Sequence, residues 1–185
     1  MDNEKQLASE YLIRFSKLMR LILENSREKE VSLENDLSAL ELYIQLEALR
    51  FKNKFSYTIQ VDPEIDKEST LIPPMMLQPF VENSIIHGMQ NKEGGLIAVG
   101  VHKEGNMIRC VVEDNGIGRT QSVAFASEGN QKKESLGMKI TQERLQIIDQ
   151  LKKVKTAIFI IDRKDIDNVV NGLRIELLLP FESTF

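Results

Sequence analysis

The first third of the chain carries two apolar stripes at helical spacing, and each predicts an amphipathic helix. The first helix is predicted over residues 4–29. Its stripe consists of Tyr11, Phe15, Leu18 and Ile22. The second runs from an N-cap at Ser32 to about Phe51. Its stripe consists of Leu33, Leu37, Leu40 and Ile44. Two such helices form a helical hairpin or the coiled-coil seam of a dimer, or they pack on the rest of the domain.

The pattern then changes from helical spacing to alternation, and each alternating run predicts a half-buried strand. The runs cover residues 55–61, 96–103, 107–113, 157–162 and 173–179. The last two are expected to pair antiparallel. One helix is predicted from about Pro79 to Gly88, because proline is tolerated in a first turn and glycine often ends a helix. Another begins near Met138. This order predicts an α+β fold, a two-layer sandwich with helices on one face of a mixed, mostly antiparallel sheet.

The composition limits the classes of function without identifying one. The chain has 185 residues, of which 42% are apolar, enough for a sizeable core. Acidic and basic residues are spread along it with a net charge of -4, so we expect no nucleic-acid surface and no direct membrane contact. No apolar run approaches the ~18 residues of a membrane span, and a cytoplasmic location is expected. The single cysteine, Cys110, lies in an alternating apolar run and is interpreted as a small buried hydrophobe.

Asn83 and His87 stand one turn apart on the predicted short helix, so their side chains are expected to share a face. The amide oxygen of a helical asparagine is a suitable weak ligand for Mg²⁺, which keeps several waters and takes further oxygens from phosphates. The alternative is a polar helix end, at which the helix dipole favours His87. The second histidine, His102, lies in a predicted strand and is interpreted as a structural or surface residue.

Two glycine-bearing segments follow the strands. Asp114 to Gly118 comes directly after a strand, where a carboxylate could accept the exocyclic amine of adenine and glycines allow close ligand approach. Guanine carries an acceptor at that place, so the contact would select ATP over GTP. Ser135 to Met138 opens a helix whose free N–H groups could bind a phosphate. Each segment alone is also explained without a ligand, as an Asn-Gly turn or an ordinary helix start.

Together, in this order and spacing, these segments resemble the N-box and the two glycine boxes of the histidine kinase and gyrase-type ATPase superfamily. The resemblance is closer to the sensor kinases grouped with the LytS-type autolysis regulators. Pro73 to Gly88 is similar to their N-box and its lead-in, and Asp114 to Gly118 to their first glycine box. Ser135 to Leu145 is similar to the second box and the helix behind it. The helices from Tyr11 to Phe51 resemble the group's linker, so the resemblance covers nearly the whole chain.

The resemblance implies the ATP-binding kinase domain of a two-component sensor histidine kinase, with ATP and Mg²⁺ as cofactors. It implies that Asp114 anchors adenine and that Asn83 holds the metal through the ATP phosphates. The further ATP-binding candidates are Gly116, Gly118, Gly137, Lys132 and His87. The polar stretch 119–134 would form a mobile lid over the nucleotide.

The resemblance also implies partners and a division of the chain. Residues 1–53 would be a helical dimerisation and linker segment, and residues 54–185 the ATP-binding catalytic domain. The group's phosphoacceptor histidine lies in a His-Phe-Leu-Phe-Asn type motif before the first helix, and this sequence has no such motif. The fragment is therefore not expected to autophosphorylate. The parent protein would be a homodimer through the N-terminal helices, anchored in the bacterial inner membrane, and a response regulator receiver domain would accept the phosphoryl group.

Two positions depart from the family's pattern, and a third separates the chain from the gyrase-type ATPases. Ser135 replaces the first glycine of the second box, and Leu173 stands where a hydroxyl-bearing threonine often follows the glycine of the last strand. Pro79 stands where gyrase-type ATPases carry a glutamate as general base, which disfavours hydrolysis and suits transfer to a neutral histidine. Two alternatives stay open: a serine/threonine kinase of the anti-sigma-factor type, which shares the fold, and a nucleotide-sensing or dimerising module without catalysis.

Overall fold

The computed structural model describes residues 2–89, 93–118, 136–164 and 170–183. The helices in these ranges are α1 (Asp2–Asn25), α2 (Leu33–Arg50), α3 (Gln78–Asn83) and α4 (Leu136–Lys152), and a turn of π-helix follows α3 at Ser84–Gly88. The strands are β1 (Val31–Ser32), β2 (Phe55–Val61), β3 (Thr70–Ile72), β4 (Gly95–Glu104), β5 (Met107–Asp114), β6 (Ala157–Lys164), β7 (Val170–Pro180) and β8 (Glu182–Ser183). Lys132 and the polar stretch 119–134 lie outside the described residues. Within the same ranges, no helix combines the length and the apolar character that a bilayer span requires.

The larger sheet of the described structure has five strands in the order β2-β4-β5-β7-β6. β2 runs parallel to β4, and each of the other neighbouring pairs is antiparallel. The predicted mixed, mostly antiparallel sheet is therefore confirmed, as is the antiparallel pairing of the last two predicted strands. Alternation along β5 buries Ile108, Cys110 and Val112. Cys110 is thus the small buried side chain that its place in an apolar run predicted.

Helices α2, α3 and α4 share one hydrophobic cluster with the inner side chains of this sheet, which confirms the predicted α+β fold. The contribution of α2 consists of Leu33, Leu37, Leu40, Ile44 and Ala48. The helix begins where the sequence predicted, because the Ser32 hydroxyl accepts a hydrogen bond from the backbone N–H of Asn35 at 3.3 Å. α2 therefore packs in the same core as the sheet, and the division at residues 53 and 54 stays a prediction.

α1 packs on α2 as a helical hairpin. Leu18 of α1 lies in a small buried cluster with Ala39 and Leu46 of α2. Arg14 of α1 donates a hydrogen bond to the side chain of Gln45 at 3.0 Å. α1 also carries large apolar side chains in solvent, namely Tyr11, Leu12, Ile13, Phe15, Met19 and Leu23. The hairpin is thus the arrangement adopted within this chain, while a second apolar face of α1 stays exposed.

The sequence pattern does not predict the smaller sheet, whose order is β1-β3-β8 among the described residues. Its strands have two or three residues each, too few for alternation to be recognisable. Val31 pairs with Ile72, and Leu71 pairs with Glu182. This sheet therefore joins the link between α1 and α2 to the segment that precedes α3.

The helix that the sequence predicted up to Gly88 is α-helical only as far as Asn83. Ser84–Gly88 continues it as a π turn, in which the hydrogen bonds run from i to i+5. The predicted α-helix is therefore corrected to a turn of π-helix over these five residues, and the shared face of Asn83 and His87 stays a prediction. Asn83 is half-buried and His87 is exposed. Such turns inserted into helices occur frequently at functional sites.

Candidate functional site

The apolar side of α3 and its π turn fixes where the polar residues of this segment lie. Phe80, Val81 and Ile85 are fully buried in the main core. Pro79 occupies the first turn of α3, where a missing backbone N–H removes no helical hydrogen bond. The burial of the three apolar side chains leaves Asn83 half-buried and carries Ser84 to the end of β5.

Asp114, the last residue of β5, is only 4% exposed and accepts hydrogen bonds from three segments. Its Oδ2 accepts from the Ser84 hydroxyl of the π turn at 2.7 Å. Its Oδ1 accepts from the backbone N–H of Gly116 at 2.9 Å and from that of Leu173 in β7 at 3.3 Å. Three of the segments that the sequence singled out therefore meet at a single carboxylate.

Three positions around Asp114 require glycine, each for a different physical reason. A Cβ atom at Gly116 would lie 2.5 Å from the Cα atom of Gly88, so the two backbones approach each other too closely for any side chain. Gly118 has a φ of 69°, a left-handed conformation in which glycine has no steric penalty. Gly172 has a φ of 113°, and a Cβ there would overlap the backbone carbonyl of Asp114. The loop after β5 is therefore held against the end of the π turn and against β7.

The start of α4 completes the arrangement. A Cβ at Gly137 would lie 3.2 Å from the Cβ atom of Pro79, so the first turn of α4 packs closely on the first turn of α3. The hydroxyl of the buried Thr141 donates a hydrogen bond to the carbonyl of Gly137 at 2.9 Å. The second glycine segment thus lies beside the helix that carries Asn83.

The structure therefore brings together most of the residues that the sequence singled out. Asn83 directly precedes Ser84, which bonds Asp114, and Gly116 and Gly137 contact the same helical segment. His87 is exposed on the π turn. The other histidine, His102, lies on β4 and is hydrogen-bonded to Asp62 at 3.0 Å, in keeping with the structural or surface role expected of it. In the ranges that the structure describes, no group of three or more His, Cys, Asp or Glu side chains could hold a metal ion.

A buried polar network under the lead-in to α3 was not predicted from the sequence. Asp36 of α2 is 3% exposed, and its Oδ1 accepts a hydrogen bond from the backbone N–H of Met75 at 2.6 Å. Arg144 of α4 donates to the carbonyl of Pro74 at 2.8 Å. Burial raises the pKa of the Asp36 carboxyl to about 6, against the opposing effects of the Met75 hydrogen bond and the Arg144 charge. The network joins α2 and α4 at the two residues before Met76, whose side chain is fully buried.

The outer face of the sheet carries a network of ion pairs that reaches the same site. Glu176 of β7 lies between Arg109 at 2.9 Å and Arg174 at 2.7 Å. Arg174 and Arg163 in turn contact Glu113, the neighbour of Asp114. The guanidinium of Arg163 also donates a hydrogen bond to the backbone carbonyl of Asp114 at 3.3 Å. The strand end that presents the carboxylate is thus held from the outer face as well.

Comparison with known sequences finds sensor histidine kinases among the relatives of the chain. A family model described as Histidine kinase matches residues 1–55. The chain is 30% identical over 125 residues to the sensor histidine kinase YpdA of Escherichia coli (strain K12), which covers 67% of this chain and 22% of YpdA. It is also 35% identical over 113 residues to the sensor histidine kinase/phosphatase LytS of Staphylococcus aureus (strain MRSA252). That aligned stretch covers 60% of this chain and 19% of LytS. The chain thus spans about a fifth of the length of these relatives.

Comparison with solved structures shows the same fold at low sequence identity. The catalytic domain of the histidine kinase ThkA superposes with a TM-score of 0.54 at 15% identity, covering 82% of this chain and 94% of that domain. ThkA in complex with the response regulator protein TrrA superposes with a TM-score of 0.54 at 17% identity, covering 94% of this chain and 49% of that chain. The resemblance to sensor histidine kinases of the LytS-like group that the motifs indicated is therefore confirmed.

Proposed function

Since the chain is a relative of the LytS-like sensor histidine kinases and has the fold of a histidine kinase catalytic domain, we propose that it binds Mg-ATP and transfers the γ-phosphoryl group to a histidine. That histidine lies outside this chain, and a response regulator receiver domain takes the phosphoryl group next. The response regulator bound to ThkA is the precedent for the second partner. The proposal extends to this chain an activity that the relatives' names give to whole proteins, of which the chain matches about a fifth.

The observation that carries the proposal is the buried carboxylate of Asp114, held where the N-box, the first glycine box and β7 meet. An ionised carboxylate offers about four lone-pair positions, and three are occupied by donors of the described residues. The exocyclic amine of adenine is a donor that suits the fourth position. A buried polar group that is left without its partner is costly, so such a site rejects a base that presents an acceptor.

The residues beside this carboxylate fit a nucleotide with its metal ion. Asn83, on the half-buried side of the N-box helix, supplies the kind of neutral oxygen that Mg²⁺ accepts alongside phosphate oxygens. The ion, when bound, neutralises phosphate charge. Gly137 lets α4 begin close to α3, which places helix N-terminal N–H groups beside the N-box. Lys132 and the predicted lid lie outside the described residues, and their roles stay predictions.

Pro79 favours transfer to a protein side chain over hydrolysis. Pro79 lies in the first turn of α3, and its ring packs against Gly137 of α4. The ring carries no group that could deprotonate water. A neutral imidazole needs no such base, because its own lone pair attacks the phosphoryl group. Catalysis by this domain then consists of positioning the nucleotide and stabilising charge at the γ-phosphoryl.

We propose that the parent protein dimerises through the N-terminal helices. The exposed apolar side chains of α1 include Leu12, Phe15, Met19 and Leu23, which follow one another at intervals typical of a helix seam. Removing such a stripe from water would stabilise the protein by about 25 cal/mol per Å² of apolar area buried. A second copy of the same helix would cover it.

Calorimetry of ATP binding tests the nucleotide site. We expect the wild-type chain to bind Mg-ATP and Asp114→Asn to bind it at least tenfold more weakly, because the amide replaces an acceptor oxygen with a donor. Asp62→Asn, an exposed carboxylate bonded to His102, is the matched control and should bind ATP like the wild type. No heat of ATP binding by the folded wild-type chain would refute the proposal.

Phosphoryl transfer is tested with a separate fragment of the parent protein that bears the missing histidine. With γ-labelled ATP, acid-labile and base-stable label on that fragment is the expected result, because phosphohistidine hydrolyses in acid. Acid-stable label on serine or threonine would instead establish the alternative class of anti-sigma-factor-type kinases. ATP binding without any label on the fragment would establish a nucleotide-sensing module.

A further inference from the structure

Ser84 is a buried polar side chain in direct contact with the carboxylate that carries the proposed nucleotide site. It begins the π turn after α3, is 4% exposed, and its hydroxyl donates to Oδ2 of Asp114 at 2.7 Å. Buried hydroxyls almost always have a hydrogen-bond partner, so the bond alone does not indicate a function. Its position on the carboxylate does, because the two oxygens of Asp114 are not equivalent.

The two oxygens differ in how many acceptor positions are occupied. Oδ1 accepts from two backbone N–H groups, those of Gly116 and Leu173, which use both of its lone pairs. Among the described residues, Oδ2 accepts from Ser84 alone. The unoccupied acceptor position of the carboxylate therefore belongs to the oxygen that Ser84 holds.

The neighbouring strand provides no hydroxyl for this oxygen. Leu173, which follows Gly172 on β7, contributes its backbone N–H to Oδ1, and its side chain is apolar. At this carboxylate the described side-chain donor is thus the one on the π turn. The local change from α to π geometry begins at Ser84 itself, so the turn sets the direction of its hydroxyl.

We infer that Ser84 is a specificity-determining positioning residue, whose hydroxyl orients Oδ2 of Asp114 so that its remaining acceptor position meets the 6-amino group of a purine nucleotide. The inference rests on the proposed nucleotide site. A base with a carbonyl at this position places two acceptors against each other and is rejected. Ser84 thereby makes 6-amino selectivity depend on the N-box helix as well as on the strand that carries the carboxylate.

Paired measurements with ATP and inosine triphosphate test this role, because the two nucleotides differ at position 6 of the base. In Ser84→Ala we expect the affinity for Mg-ATP to fall about tenfold, with little change for Mg-ITP, so the ratio of the two affinities falls by the same factor. A merely structural defect would weaken both nucleotides alike. Ser84→Cys fills the same space with a poor hydrogen-bond donor, and we expect the ratio of the ATP and ITP affinities to fall in this variant too. Such a fall would show that the missing hydroxyl, and not a packing defect, causes the change.

The chain offers a matched control. Ser69, buried before β3, donates to Oδ2 of Asp66 at 2.8 Å, so Ser69→Ala removes the same kind of bond outside the site. Thermal melting of each variant checks that it is folded. An unchanged ATP-to-ITP ratio in both Ser84 variants overturns the inference, as does an equal fall of the ratio in Ser69→Ala. If the wild-type chain binds neither nucleotide, the proposed function itself fails, and the inference fails with it.

Discussion

Asp36 is a buried carboxylate whose ionisation should oppose folding at neutral pH, and the structure allows the size of this effect to be worked out. Burial raises the pKa of the carboxyl from 3.8 to about 6, which corresponds to roughly 3 kcal/mol in favour of the neutral form. Replacement by asparagine removes the charge and keeps an oxygen that can accept from Met75. We therefore expect Asp36→Asn to gain up to about 3 kcal/mol in the free energy of unfolding relative to wild type as the pH rises.

The sign follows from proton binding. Between pH 3.8 and about 6 the folded state holds a proton on Asp36 that the unfolded state has lost, so the stability contributed by this group decreases as the pH rises. Below pH 3.8 both states are protonated, and above about pH 6 both are ionised. The difference between the variant and the wild type should therefore grow across this window and be constant above it.

Urea unfolding at a series of pH values from 4 to 7.5 measures this difference. How well the new amide is accommodated beside Arg144 and Cys110 changes its absolute value but not its dependence on pH. Asp62→Asn is a control of opposite sign, since the hydrogen bond from Lys103 lowers the pKa of the exposed Asp62 carboxyl. A difference for Asp36→Asn that does not change between pH 4 and 7 would refute the reasoning.

Three further predictions concern one glycine, one buried thiol and one ion-paired carboxylate. Gly116→Ala should abolish ATP binding in a folded chain, since its Cβ would lie 2.5 Å from the Cα of Gly88. Gly105→Ala strains a turn residue with a φ of 62° but meets no neighbouring atom within 4 Å, so this control should bind ATP like the wild type. Cys110 should resist thiol reagents until the chain unfolds, because burial raises the pKa of its thiol to about 12; rapid labelling of the native chain would contradict this. Glu176→Gln should lower the free energy of unfolding by roughly 1 kcal/mol near pH 7. That loss should disappear as the pH falls below 4.5, because hydrogen bonding to arginine lowers the pKa of Glu176; a loss independent of pH would contradict it.

Features that depend on local sequence could be predicted, and the reasons are physical. The alternation over Phe55–Val61 is a strand with those bounds because each second side chain faces the core. Ser32 caps α2 because its hydroxyl needs only a backbone N–H three residues away. Asp114 lies at the end of β5, where its place after an alternating run put it. In each case the deciding contacts lie within a few residues of each other.

Features that depend on contacts across the fold could not be predicted in this way. Nothing in the sequence around Asp36 indicates that its partner is a backbone N–H 39 residues away. The π turn at Ser84–Gly88 follows residues with ordinary helical spacing, so the change of geometry is visible only in the structure. Ser84 had one local signal: it stands at helical spacing from the buried Phe80 and Val81, which puts a polar side chain on the apolar face.

The segment before α3 has a conformation that its own sequence does not favour, and two helices hold it there. Met75 has a φ of 56°, a left-handed conformation that costs a non-glycine residue roughly 1–2 kcal/mol. Its N–H is bonded by Asp36 of α2, and the carbonyl before it by Arg144 of α4. Because α3 begins three residues later and carries the residues that meet Asp114, its position depends on α2, a helix that the sequence resemblance assigned to the linker. A buried polar network therefore crosses the predicted boundary between linker and catalytic domain, and any displacement of α2 must either move the start of α3 or break a bond to a buried carboxylate.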